Sequence, residues 1–206
     1  STHCISSAAS DVYKRQECLW CHALNPIGVA NNARATSRWI INVSSIGGKI
    51  YQPLSAWYMG TKHAIEGMSD ALRMEVAPFG IDVSIIEPGG IKTEWAGIAE
   101  KKLLEVSGET AYHDQAVKVG AMLSLFDQFA SNPGVIAKLM VRAVNDVKPK
   151  SRYHAGMSSG LALTGRHWLS DRQFDKMMTL AINGAAKLAK LEHHGQRAGK
   201  RHYQHN

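Results

Sequence analysis

The chain has no apolar run of about 18 residues or more, so nothing in it reads as a membrane-spanning helix. Cysteine is scarce: Cys4, Cys18 and Cys21 are the only three, and a body without cysteine has no disulfide framework. There is no internal repeat and no low-complexity segment, which sets aside solenoids and biased polar tracts. Ser1 to Ser10 lack the basic start and apolar core of a secretory signal. What remains is 206 residues, 45% hydrophobic and 20% charged. That is enough for one globular domain with its own core and too little for two. A soluble, cytoplasmic domain is expected.

Acidic residues are also short, 17 against 24 Lys plus Arg, for a net charge of +7. Much of the excess lies near the end, where Lys187, Lys190, Arg197, Lys200 and Arg201 face only Glu192. Residues 191–206 read as a solvated basic tail. Without aromatic interleaving or a helix-turn-helix pattern, no nucleic-acid partner is expected. His193, His194, His202 and His205 have neither regular spacing nor a carboxylate partner, so no metal site is expected there. Cys18-Leu19-Trp20-Cys21-His22 matches the C-x-x-C-H pattern of covalent haem attachment. No export signal precedes it and no haem-pocket pattern surrounds it. Residues 1–24 have no helical or strand period and are expected to be an atypical, artefactual or disordered leader to a domain spanning 25–190.

Arg38 to Ser44 is a short apolar run closed by Ser44, Ser45, Gly47 and Gly48, the pattern of a buried strand and a loop. From Ala56 to Phe79 the period becomes helical, with Ile65, Met68, Leu72, Val76 and Phe79 on one apolar stripe and Pro78 and Gly80 at the end. Ile81 to Ile86 is a second buried strand, ended by Glu87-Pro88-Gly89-Gly90. Strand, helix and strand form a βαβ unit, which predicts an α/β fold with a parallel sheet and a right-handed crossover. Further helices are expected over 94–106, about 110–130, from Asn132-Pro133-Gly134 onward, and over 158–191 with a break near Ser170-Asp171. Arg152 to Ala155 is expected as one more short strand.

Tyr58 and Lys62 are four apart at the start of the long helix and so project from one face. A free tyrosine, with a pKa near 10, is too weak an acid to serve as a base at neutral pH. A neighbouring ammonium stabilises the phenolate and brings that value down. Ser45 lies at the C-terminal end of the preceding strand, the edge at which open parallel sheets bind ligands. A hydroxyl there can hydrogen-bond an oxygen that gains charge.

Asn42-Val43-Ser44-Ser45-Ile46-Gly47-Gly48-Lys49, Ala56-Trp57-Tyr58-Met59-Gly60-Thr61-Lys62 and Ile85-Ile86-Glu87-Pro88-Gly89-Gly90-Ile91-Lys92-Thr93 together resemble the C-terminal half of the short-chain dehydrogenase/reductase superfamily, nearest its 17β-hydroxysteroid and retinol dehydrogenase branch. The resemblance implies a partial doubly wound, Rossmann-like sheet and NAD(P)-dependent interconversion of an alcohol and a ketone or aldehyde. NADP is slightly favoured over NAD by family analogy. Tyr58 would then give or take the proton at the substrate oxygen, Lys62 would support Tyr58 and bind the nicotinamide ribose, and Ser45 would polarise the carbonyl. The Ile91 backbone and Thr93 would hold the carboxamide, with Pro88 and Gly89 shaping the turn. Residues 94–130 would form the substrate lid, where Trp95, Leu103, Leu104, Met122, Leu125 and Phe126 suggest a lipophilic substrate.

The family's Gly-rich G-x-x-x-G-x-G turn and its cofactor-selecting residue have no counterpart here, so the N-terminal cofactor half reads as missing. Asn25-Pro26-Ile27-Gly28 resembles the N-x-x-G that carries the family's active-site asparagine, and Asn25 is carried as a further catalytic candidate. Its distance to Ser45 is about two helical turns short. The alternative to an enzyme is an inactive fragment that only associates with other subunits, as a homo-oligomer through helix 56–79. No metal is expected in the site.

Overall fold

A computed structural model describes residues 39–203, with side chains described as far as Leu191. The leader with its C-x-x-C-H run, Asn25 and the side chains of the tail from residue 192 lie outside the described residues.

Among the described residues, three parallel strands form a sheet: β1 (Trp39–Val43), β2 (Asp82–Pro88) and β3 (Arg152–Ala155), in the order β1-β2-β3. Trp39 is in register with Asp82 and Val43 with Ile86, while Ile85 faces Arg152 and Pro88 faces Ala155. Parallel neighbours need long crossovers. Helix α1 (Ala56–Val76) makes the first; α2 (Trp95–Ser107), α3 (His113–Gln128) and α4 (Gly134–Asn145) make the second. After β3 the chain continues as α5 (Ser159–Trp168) and α6 (Asp171–Tyr203).

Helices cover both faces of the sheet, which is why β2 is buried from Val83 to Glu87 without alternation. On one face Leu72 and Val76 of α1 pack with Ile81, Val83 and Ile40. On the other, Ala143 of α4 packs with Ile86, Tyr153 and Ile41. Ile85 and Ile86 are wholly buried, and each such side chain contributes about 1.5–3 kcal/mol. A third cluster, Val119, Met122 and Leu123 with Ile182 and Ala185, fastens α3 to α6.

The expected order of elements holds, with differences at the ends. β2 runs two residues past Ile86, because the Gly89 N–H carries the ladder on to the Ala155 carbonyl, so that Pro88 at the strand end needs no N–H of its own. The helix expected over 56–79 stops at Val76 and gives way to a 3-10 turn, Ala77–Phe79, closed by Gly80 with φ 70°. Pro78 lacks the N–H that another α-turn would use. Phe79 therefore leaves the buried stripe and is 55% exposed.

Candidate active site

The C-terminal ends of β1 and β2 border a cavity of about 280 Å³, with walls from the turn after β1, the start of α1, the loop after β2 and the α2–α3 pair. Ser45 caps the 3-10 turn Ile46–Gly48: its hydroxyl accepts from the Gly47 N–H at 3.1 Å and donates to the Pro88 carbonyl at 3.4 Å. One hydroxyl thus ties the end of β1 to the end of β2. Ser44, beside it, is buried and donates to the Lys62 carbonyl at 3.5 Å.

This turn lies hard against α1, and two glycines permit it. A Cβ on Gly48 would stand 2.7 Å from Glu66 Cγ, 2.7 Å from Ser44 Oγ and 3.0 Å from the Lys62 carbonyl. The corresponding point on Gly47 lies 3.0 Å from Tyr58 Cε1 and 3.5 Å from Ser45 Oγ. The tyrosine ring and the serine hydroxyl therefore flank the same spot. Tyr58 is half-buried in the cavity wall and meets Trp95 with ring centroids 5.4 Å apart.

Lys62, one turn further along α1, is not in the cavity wall. Its ammonium reaches back to donate to the Val43 carbonyl at 3.4 Å, and burial lowers its pKa.

The loop after β2 is clamped from two sides. Gly89 N–H donates to Ala155 O at 2.8 Å and Gly90 N–H to Met157 O at 3.0 Å. Ser131 N–H donates to Gly90 O at 3.0 Å, and Lys92 N–H to Ser131 O at 2.9 Å. Ile91 sits between these anchors at the cavity wall, with its own N–H and C=O in no backbone bond among the described residues. Its side chain packs on Gly156, whose φ of +99° and 2.7 Å clearance to Ile91 Cδ1 both favour glycine. Thr93 also borders the cavity, its hydroxyl accepting from Trp95 N–H at 3.3 Å.

The segment joining Ser45 to Tyr58 is held by the C-terminal helices. Tyr51 donates to Asp175 Oδ1 at 3.1 Å, with the Asp171 carbonyl at 3.3 Å, and its ring meets Phe174 edge-on at 5.0 Å. The Arg166 guanidinium lies over both rings, at 5.5 and 5.7 Å.

The expected apolar lid divides in two. Trp95 and Phe126 do border the cavity. Met122 instead is buried against Ile182 and Ala185, Leu103 and Leu125 pack on that same cluster, and none of these three lines the cavity. Leu104 is exposed on α2. Ile182 and Ala185 of α6, rather than the cavity, receive these side chains. Leu123, Ile50 and Met59 are cavity residues that the pattern did not single out.

A buried charge cluster was also missed. Glu66 on α1, Glu87 on β2 and Arg152 on β3 meet behind the Ser45 turn. The only signal was that Glu66 and Glu87 interrupt otherwise apolar stretches.

The family model for short chain dehydrogenases matches residues 28–103, which take in Ser45, Tyr58, Lys62 and the loop after β2. A probable short-chain type dehydrogenase/reductase of Helicobacter pylori is 34% identical over 148 residues, 70% of this chain and 53% of its own length. These matches make the chain similar to the short-chain dehydrogenase/reductase family, over residues 28–103 by the family model. An NADPH-dependent 3-dehydrocapnine reductase of Ornithobacterium rhinotracheale is 31% identical over 82% of this chain and 57% of its own. A retinol dehydrogenase of Rattus norvegicus is 30% identical over 65% and 44%. The crystal structure of a short-chain dehydrogenase from Streptomyces avermitilis shares the fold, with a TM-score of 0.54 at 23% identity, over 81% of this chain and 57% of that one. The chain spans about half the length of the curated short-chain dehydrogenases it matches. Among the described residues, no group of three or more His, Cys, Asp or Glu is placed to hold a metal ion, and no helix is long and apolar enough to cross a membrane.

Proposed function

We propose that the chain carries the proton-transfer and substrate-binding part of an NAD(P)-dependent oxidoreductase that interconverts an alcohol and a ketone or aldehyde. The observation that carries this reading is a single one. A serine hydroxyl, a tyrosine and the backbone unit of Ile91, which makes no backbone bond among the described residues, meet around one cavity at the C-terminal edge of a parallel sheet.

Bound nicotinamide would supply the hydride acceptor or donor. In the oxidation direction Tyr58, as phenolate, takes the hydroxyl proton of the substrate while the carbinol hydrogen leaves as hydride; in reduction it returns the proton to the new alcohol. Lys62 favours the phenolate by its charge, which half-burial leaves less screened. Ser45 turns its hydroxyl to the substrate oxygen, giving up a bond to Pro88 that is long at 3.4 Å and so easily exchanged. The Ile91 N–H and C=O suit a primary carboxamide, which is both donor and acceptor. Pro88 and Gly89 shape that turn, Thr93 adds a hydroxyl, and Lys62 would reach the ribose by leaving Val43. Trp95, Phe126, Leu123, Ile50 and Met59 favour a lipophilic alcohol. NADP is favoured over NAD by the relative whose name specifies NADPH. Asn25 remains a candidate outside the described residues.

The test is a titration with NADPH and NADH followed by nicotinamide fluorescence. Saturable binding is expected, weakened roughly tenfold or more in Lys62→Ala through loss of a charge-assisted contact. Identical curves for the two proteins, or no saturation, would overturn the cofactor assignment.

A second reading is association through α1, without turnover. Its outer face carries Trp57 at 79% and Met74 at 77% exposure, large apolar side chains that a second subunit would cover. On size-exclusion chromatography this reading expects a dimer that Trp57→Ser together with Met74→Ser converts to monomer; a wild-type monomer contradicts it.

A further inference from the structure

Glu66 and Glu87 are 3% and 2% exposed, yet the cations that face them are few. Glu66 Oε2 takes Arg152 Nε at 3.0 Å and Lys49 Nζ at 3.3 Å, the geometry of an ionised carboxylate. Arg152 also gives its terminal nitrogen to Asp70 Oδ2 at 2.7 Å, and Asp70 in turn pairs with Arg73 at 2.6 Å. Glu87 has what is left. Its Oε1 lies 3.3 Å from the same Arg152 Nε, as an ion-pair contact without a hydrogen bond. Glu66 Oε1 and Glu87 Oε1 both lack a hydrogen-bond partner among the described residues.

Two buried carboxylates sharing one guanidinium nitrogen would be costly. A proton on Glu87 ends the competition of two carboxylates for one nitrogen and turns one acceptor into a donor, within reach of the Glu66 carboxyl. We infer that Glu87 is a protonated positioning residue, whose neutral carboxyl locks together the Ser45 turn, helix α1 and the loop after β2. Three connections transmit its state. Pro88, the next residue, takes the Ser45 hydroxyl on its carbonyl. Lys49 ends the Ser45 turn and pairs with Glu66. Gly48 leaves no spare room against Glu66 Cγ. Extra charge at Glu87 therefore strains the surroundings of Ser45, whether or not a cofactor binds.

Burial first, and then the Glu66 charge, raise the Glu87 pKa from 4.5 to about 7, against the pull of Arg152 and Lys49. The native state thus keeps a proton that the unfolded chain loses above 4.5. Stability falls as pH rises through that window and levels off above about 7. Asp70 titrates outside this window: although burial opposes it, Arg152 and Arg73 hold its pKa below the usual value, so its effect is confined to acid.

Infrared difference spectra between about pH 5 and about pH 8.5 test the proton directly, since an unfolded or solvated glutamate would already be mostly ionised at the lower pH and wholly so at the upper. Wild type should lose a buried carboxylic acid band that Glu87→Gln never shows. Amide exchange then tests the positioning. In peptides covering 43–49 and 86–92, the wild-type rate should exceed that of Glu87→Gln by about tenfold at the upper pH and match it at the lower one. Comparison at equal pH removes the chemistry of exchange and the histidine titrations common to both proteins. A wild type without the band, or an exchange ratio that does not change with pH, would overturn the inference. Both readouts are independent of turnover, so an inactive chain leaves the test intact.

Discussion

Tyr58→Phe should lower kcat/KM for alcohol oxidation by about 100-fold or more while leaving NADPH affinity within about twofold. The reason is local. The phenyl ring keeps the 5.4 Å contact with Trp95 and the packing against Gly47, and it loses only the hydroxyl that would carry the proton. Steady-state kinetics with a fluorescence titration on the same preparation separates the two quantities. If the variant turns over at the wild-type rate, the proton is handled elsewhere and the assignment of Tyr58 is wrong.

Phe174→Ala should destabilise the protein by about 3–5 kcal/mol, the cost of emptying a large buried aromatic site. Phe174 is wholly buried, on α6, and its ring and that of Tyr51 share the Arg166 guanidinium. The site collapses poorly, because Tyr51 is also held through its hydroxyl by Asp175. Urea unfolding measures the loss as a lower midpoint at unchanged slope. The same variant should impair cofactor binding less than stability, since Phe174 does not line the cavity and meets the site through Tyr51, in the segment leading into α1. A midpoint within experimental scatter of wild type would show that α6 docks weakly and that Tyr51 needs no clamp.

Much of this site could be read from residues that announce their own geometry. Tyr58 and Lys62 share a helix face by spacing, Ser45 follows an apolar strand, and Pro88-Gly89-Gly90 ends another; the structure has all of them at one sheet edge, although Lys62 turns to Val43 rather than to the cavity. The short strand Arg152–Ala155 was equally legible. Two kinds of feature were not. Met122, Leu103 and Leu125 carry the pattern of a lid, but their burial is decided by Ile182 and Ala185, which are remote in the chain. Glu66 and Glu87 interrupt apolar stretches, and nothing local shows that an arginine from β3 will meet them. Phe79 fails for a third reason, since its orientation depends on where Pro78 stops the helix. Long-range partners, rather than local propensity, decide each of the first two.

The most direct test of the central claim is nicotinamide absorbance with NADP and a series of secondary alcohols of increasing chain length. The account predicts saturable reduction of the cofactor that depends on Tyr58, with KM falling by up to about tenfold for every two methylenes added until the apolar cavity is filled. No absorbance change above the Tyr58→Phe control for any alcohol would contradict it, and would leave the Ser45–Tyr58–Lys62 arrangement without a reaction in this chain.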